Sequence, residues 1–263
     1  MRPALGRPPT LLVVPAALAA VFLVVPLVAL VLDTPWSELG SLLGTAAVRE
    51  ALWLSALTSG LTVLICLVVG TPLAWVLARI DFPGRSVLRA LVVVPLVLPP
   101  VVAGVALVSA LGRNGLVGGL VRDLTGYTVP FTTTAVVIAH AFVAMPFFVL
   151  AVEGAFRSSG AGYDAVAATL GAGRWTTFRR VTLPLALPGL LAGCALAWAR
   201  SLGEFGATIT FAGNFPGSTQ TMPSLIYTAL QGDPEVARTL SLILLLVSVL
   251  VLGAMRERWL RVR

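Results

Sequence analysis

The chain has 263 residues, of which 58% are hydrophobic and only 11% charged, and it carries a formal net charge of +7. Soluble domains hold roughly a quarter charged residues, so this composition, with a mean hydropathy of +0.98, excludes a soluble globular protein and makes the bilayer the solvent. All 18 basic residues are arginine, and the excess reads as membrane topology and contact with acidic membrane lipid; a role with nucleic acid is excluded on the same ground.

Six apolar stretches reach the length of about twenty residues that a spanning helix needs: 10–32, 51–78, 88–111, 132–152, 185–211 and 236–255. The expected fold class is therefore an all-α integral membrane protein with six transmembrane helices. Arg2 and Arg7 ahead of the first run, with a cleavage-like context over residues 16–20, also fit a secretory signal. An apolar run longer than twenty residues exceeds the usual signal core and favours a span. Spans two and five carry Ser, Thr and Gly and are expected to face protein or a polar path. In span three Pro95, Pro99 and Pro100 interrupt the helical ladder, which membranes tolerate only where protein or water satisfies the freed carbonyls. A static kink explains them equally well, and Pro146 in span four carries the same two readings.

Arginine placement sets the expected orientation, because cytoplasmic loops accumulate basic residues. With the N-terminus inside, the inner segments hold Arg2, Arg7, Arg79, Arg85, Arg89, Arg157, Arg174, Arg179, Arg180, Arg256, Arg258, Arg261 and Arg263, thirteen of the eighteen. The outer segments hold four arginines, Arg49, Arg113, Arg122 and Arg238, against six acids, Asp33, Glu38, Glu50, Asp123, Asp233 and Glu235. Both termini and the stretch 163–184 are expected in the cytoplasm of a multi-pass protein of the plasma or inner membrane.

Motifs for chemistry are missing. There is no lysine, so no phosphate-binding loop of the GxxxxGK[ST] type can form; the glycines of residues 112–120 read as a flexible outer loop. His140, Cys66 and Cys194 fall inside spans four, two and five, with no metal-ligand spacing, no HExxH and no GxSxG frame. The cysteines read as small packing residues, and His140 as a hydrogen bond to a neighbouring helix more readily than as a proton relay. No catalytic residue and no metal site is expected; the chain is not read as an enzyme.

The stretch 163–184, YDAVAATLGAGRWTTFRRVTLP, is the polar interruption in this hydrocarbon-like sequence. Asp164 suits a helix N-terminus, Tyr163, Val166, Ala167 and Leu170 make one apolar stripe, and Gly171 is a good residue to end the helix. A second short helix is expected from Arg174 to Val181, with Trp175 and Phe178 on one face, stopped by Leu183 and Pro184. From composition this is either an amphipathic helix lying in the membrane interface or a docking element for a cytoplasmic partner. The order of an acid, small residues, Gly171, nine residues, Val181, one residue and then Leu183-Pro184 is similar to the EAA loop of ABC-importer permeases, G-x9-I-x-L-P. Asp164 stands for the usual Glu and Val181 for Ile. The resemblance implies a coupling helix seated on a separate ATPase subunit, with Tyr163, Asp164, Val166, Ala167, Ala168, Leu170, Gly171, Val181, Leu183 and Pro184 as coupling residues. It also implies that ATP is used by that partner, with no cofactor bound by this chain.

Span five holds ARSLGEFGAT, in which Arg200 and Glu204 are four apart and share a helix face. Two charges inside a span ask for a reason. One is a structural ion pair; the other is a path for a tetrahedral oxyanion, with Arg200, Ser201, Thr208 and Thr210 as donors and Glu204 preventing a trap. This run, the following NFPG and TMP segments and PLVLPPVVAG in span three look like molybdate ABC transporter permease subunits, type I ABC-importer permeases related to sulfate and thiosulfate permeases. The resemblance covers residues 55 to 242. It implies an N-terminal part at 1–50, a permease domain at 51–255 and a basic cytoplasmic tail at 256–263. Further implications are a homodimer bearing two ATP-binding subunits and an extracytoplasmic molybdate-binding protein that delivers molybdate or tungstate. Sulfate or thiosulfate transport, or a membrane scaffold that transports nothing, are the alternatives.

Overall fold

The computed structural model describes residues 10–159 and 161–260, all of whose regular elements are helical. Arg2, Arg7, Arg261 and Arg263 lie outside the described residues, and so do the side chains of Arg256 and Arg258. Helix α1 (Thr10–Asp33) is apolar on every side and exposed along almost its whole length, the signature of a helix solvated by lipid. A 3-10 turn (Trp36–Glu38) and the short α2 (Leu39–Leu43) lead to α3 (Ala46–Ile65), whose first turn is capped by the Thr45 hydroxyl.

Helix α3 passes through a π-turn (Cys66–Gly70) into α4 (Thr71–Arg79) without stopping. The same construction recurs later: α10 (Arg174–Thr177), a π-turn (Phe178–Thr182) and α11 (Leu183–Leu202) form one continuous helix. In both cases a proline, Pro72 or Pro184, stands two residues beyond the π-turn, so the carbonyl that it deprives of a donor, at Val68 or Arg180, lies inside the widened turn. A proline ring collides with the carbonyl four residues back, and the extra residue of a π-turn moves that carbonyl aside. Leu183-Pro184 therefore does not stop the second loop helix, as the sequence suggested; it is absorbed into a span that begins at Arg174.

Two further spans are interrupted. Residues 88–111, read as a span broken by its prolines, form two helices, α5 (Arg85–Val97) and α6 (Pro100–Leu111), bent by 118°. Leu98 and Pro99 each precede a proline and are both held extended, with ψ of 133° and 137°. Pro95, by contrast, lies inside α5 without ending it. Residues 185–211 are also interrupted, between the end of α11 at Leu202 and α12 (Gly206–Phe211). Among the described residues five helices are long and apolar enough to cross a membrane, and six spans result when the bent α5–α6 pair is taken as one.

After α7 (Gly118–Thr125) the chain enters α8 (Thr133–Ser158), the central helix, packed on α3, α4, α5, α6, α11 and α12. Its partner α11 comes very close through small residues: a Cβ added at Gly189 would stand 2.1 Å from that of Ala155, and one at Gly193 2.9 Å from Val152. Around them Phe148, Val149, Val152 and Phe156 form the main core with Cys66, Leu77 and Cys194. Both cysteines are free and buried there as packing residues. The chain then continues through α9 (Ala161–Thr169) to the α10–α11 helix, and ends with α13 (Met222–Gly232) and α14 (Pro234–Leu260), so the backbone of 256–260, read as a tail, is helical.

Candidate functional site

The end of the bundle bearing Arg79, Arg85, Arg89, Arg157 and the α9–α10 loop is called here the basic end. Helix α9 closes in a Schellman motif, with Gly171 N–H donating to Ala168 O and Ala172 N–H to Ala167 O, both at 3.0 Å. That ending needs the left-handed φ of +80° that Gly171 adopts. Outward, α9 presents Tyr163, Val166 and, just beyond it, Leu170, which is 82% exposed; Ala167 is half-buried, and Ala168, though exposed, lines the cavity under the loop with Asp164.

Asp164 occupies the first turn of α9 but faces the bundle. The Thr182 hydroxyl donates to its Oδ1 at 2.8 Å, and Arg79 Nη2 approaches Oδ2 at 3.5 Å. Arg79 also donates to Ser159 Oγ at 3.1 Å. One carboxylate thus ties α9 to the end of α4 and to the π-turn that opens α11. Val181 and Leu183 are half-buried and Pro184 is exposed on that continuous helix, so these three do not join the outward face of α9. Below the loop lies a cavity of about 460 Å³, lined by Arg79, Asp81, Asp164, Ala168, Arg174 and Thr182 among others.

Beside this tie stands a second one that sequence reasoning misses. Glu153 of α8, 4% exposed, accepts from Arg89 of α5 at 2.5 and 3.1 Å and pairs with Arg157 at 2.8 Å. Arg85 and Arg89 donate to the Leu77 carbonyl near the end of α4, at 2.9 and 3.3 Å. The local signal for Glu153 is its spacing of four from Arg157; the long-range partners have none.

At the two helix breaks the arrangement differs. Arg200 Nη1 pairs with Glu204 Oε2 at 2.5 Å, while Glu204 Oε1 accepts the Ala207 N–H at 2.8 Å. The carboxylate, 1% exposed, so bridges the end of α11 to the start of α12, and the ion pair expected from the i,i+4 spacing is present. Arg200 keeps 28% of its side chain exposed. The Thr210 hydroxyl donates to the Gly206 carbonyl at 2.8 Å and that of buried Ser201 to Trp198 O at 3.4 Å, so both spend their hydrogens on their own backbone. Thr208 is fully buried, with its hydroxyl unpartnered among the described residues. The two breaks touch: a Cβ on Gly206 would stand 2.6 Å from Pro100, and one on Gly104 2.6 Å from Thr210. His140, 1% exposed, has no partner on either ring nitrogen among the described residues. The interhelical hydrogen bond expected of it is not formed among the described residues.

Among the described residues no group of acids, histidine and cysteines is placed to hold a metal ion. Residues 70–262 match the family model described as "Binding-protein-dependent transport system inner membrane component". The molybdenum transport system permease protein ModB of Mycobacterium bovis is 48% identical over 239 residues, 90% of this chain and 89% of that protein. The sulfate transport system permease protein CysT of Escherichia coli is 36% identical over 234 residues, 88% of this chain and 84% of that one. Among solved structures, a bacterial ABC transporter involved in the import of the acidic polysaccharide alginate matches with a TM-score of 0.74 at 18% identity, covering 95% of this chain and 94% of that chain. A bent third span, a broken fifth span and an exposed short helix on the basic end therefore belong to a fold shared with importer permeases, and the chain is a member of the binding-protein-dependent transport system inner membrane component family.

Proposed function

We propose that this chain is the permease subunit of an ATP-driven importer of molybdate or tungstate, working as a homodimer with its basic end and both termini in the cytoplasm. Two copies offer two α9 helices to two ATP-binding subunits, and the opposite face receives a soluble oxyanion-binding protein. The chain binds no cofactor and performs no chemistry on the anion. The observation that carries this reading is the attitude of α9: Tyr163, Val166 and Leu170 point outward while Asp164 is tied inward to Arg79 and Thr182. A helix so held can dock a partner on one side and move α4 and α11 on the other.

The path for the anion is placed at the touching breaks, where Arg200 keeps an exposed portion and Pro100 meets Gly206. Broken helices in transporters surround the substrate because their irregular backbone needs a polar cavity. Ser201, Thr208, Thr210 and Glu204 then shape the path around Arg200. Molybdate is favoured over sulfate by the higher identity to the molybdenum permease, 48% against 36%. Sulfate remains the second reading, since both anions are tetrahedral. The test is uptake into proteoliposomes holding this chain, its ATPase and its binding protein, read as molybdenum by metal analysis against radiolabelled sulfate. Sulfate uptake without molybdate uptake overturns the substrate, and no uptake of either together with no substrate-stimulated ATP hydrolysis supports a scaffold.

A further inference from the structure

The helix that starts at Arg174 runs unbroken to Leu202 over 29 residues, about 43 Å at 1.5 Å per residue. A hydrocarbon core is only about 30 Å thick. The first turns of this helix, α10 and the π-turn after it, therefore stand in the headgroup layer. Arg174, Arg179 and Arg180 are exposed there, and none has a carboxylate within ion-pair distance among the described residues.

Between α10 and α4 lies a slot of about 350 Å³ lined by Pro72, Trp75, Arg174, Trp175 and Phe178. Phe178 is its floor, with Trp75 edge-on at 5.8 Å and Trp175 stacked at 5.6 Å. Trp175 is nevertheless 71% exposed, and so are Val68 and Val69 in the π-turn just ahead of α4, at 65% and 57%. The slot is thus an extension of the lipid-facing surface with guanidinium at its rim. Tryptophan favours the interface and arginine there attracts anionic headgroups.

We propose that this slot binds one acidic phospholipid of the inner leaflet, its phosphate on Arg174 with Arg179 and Arg180 beside it, and the upper part of an acyl chain against Trp75, Trp175 and Phe178. The loop then has two halves with two partners: α9 for the ATPase, α10 for lipid. The lipid site stands independently of which oxyanion the permease transports.

The test uses the full chain in nanodiscs of phosphatidylcholine with and without phosphatidylglycerol, counting retained lipid by native mass spectrometry. Phosphatidylglycerol is expected to be retained in preference and to raise the thermal midpoint, whereas sodium phosphate leaves the midpoint unchanged. Arg174→Gln is expected to lower that retention about fivefold, the weight of one arginine near a charged surface, and Trp175→Ala to lower it for both lipids. Arg238→Gln, at the opposite end, leaves it unchanged. Equal retention of the two lipids by the native chain, or undiminished retention in Arg174→Gln, overturns the proposal. So does efficient cross-linking of Trp175→Cys to the ATPase subunit in the assembled complex, which would make the slot a protein interface.

Discussion

The basic end and the break between α11 and α12 use carboxylates in opposite ways. Glu153 and Asp164, at the basic end, fasten different elements together: α8 to α5, and α9 to α4 and α11. Glu204, at the break, bonds only to residues four before it and three after it. A tie between elements makes them move together, whereas a tie within one segment fixes a local bend and leaves the segment free to move as a piece. The basic end is built to pass a displacement from one helix to the next, and the break to keep its shape.

The largest expected effect separates the two kinds of tie. Glu153→Ala takes the shared carboxylate from Arg89 and Arg157, both partly exposed, and is expected to cost about 3 kcal/mol through the loss of two charge-assisted hydrogen bonds, read as a lowered thermal midpoint in detergent. Glu204→Ala should cost less, about 1–2 kcal/mol, because its carboxylate holds one guanidinium and one backbone N–H of its own segment, where Glu153 holds two guanidiniums and joins two helices. A larger loss at Glu204 would reverse the contrast. Next comes coupling: Arg79→Ala is expected to lower uptake on the order of tenfold while ATP hydrolysis persists. The exchanged pair Arg79→Asp with Asp164→Arg should recover part of it. No recovery, with each single variant also silent, would remove the tie from transmission.

Gly171→Val probes the seat of α9 more gently. Nothing stands within 4 Å of an added Cβ, so its cost is the left-handed backbone alone, about 1–2 kcal/mol. Uptake and co-purification with the ATPase should fall while the midpoint of the span bundle holds; unchanged uptake would count against docking there. The smallest change is Thr182→Val, expected to cost about 1 kcal/mol by loss of one hydrogen bond to Asp164. A double-mutant cycle with Asp164→Asn checks that the loss is shared by the pair.

Much of the membrane architecture was legible because apolar runs of spanning length are a strong signal, and the end of α9 at Gly171 was legible because the motif needs a residue free to adopt positive φ. The breaks were less so. Pro99 and Pro100 announced an interruption, but a bend of 118° depends on Leu98 and Pro99 being extended together and on α6 finding α12 through Gly104. At Pro184 the local rule pointed to a stop, and the π-turn before it avoided one. Arg79 and Thr182 carry no pattern that marks them, and Glu153 only its spacing of four from Arg157, since the other partners lie far away in the sequence and meet only when α4, α5, α8, α9 and α11 pack.

Between Ala161 and Gly173 the only ionisable side chains are Tyr163 and Asp164, and the second is already engaged by Arg79 and Thr182. The face that α9 turns outward is therefore electrically blank. A seat of that kind holds by contact area and shape, so the ATPase is expected to stay bound as ionic strength rises through the range in which exposed charge pairs are screened. On the proposed docking of the ATPase at α9, partner choice rests on the size of Tyr163, Val166 and Leu170, and a cell with several importers of this fold could keep their ATPases apart by steric fit alone.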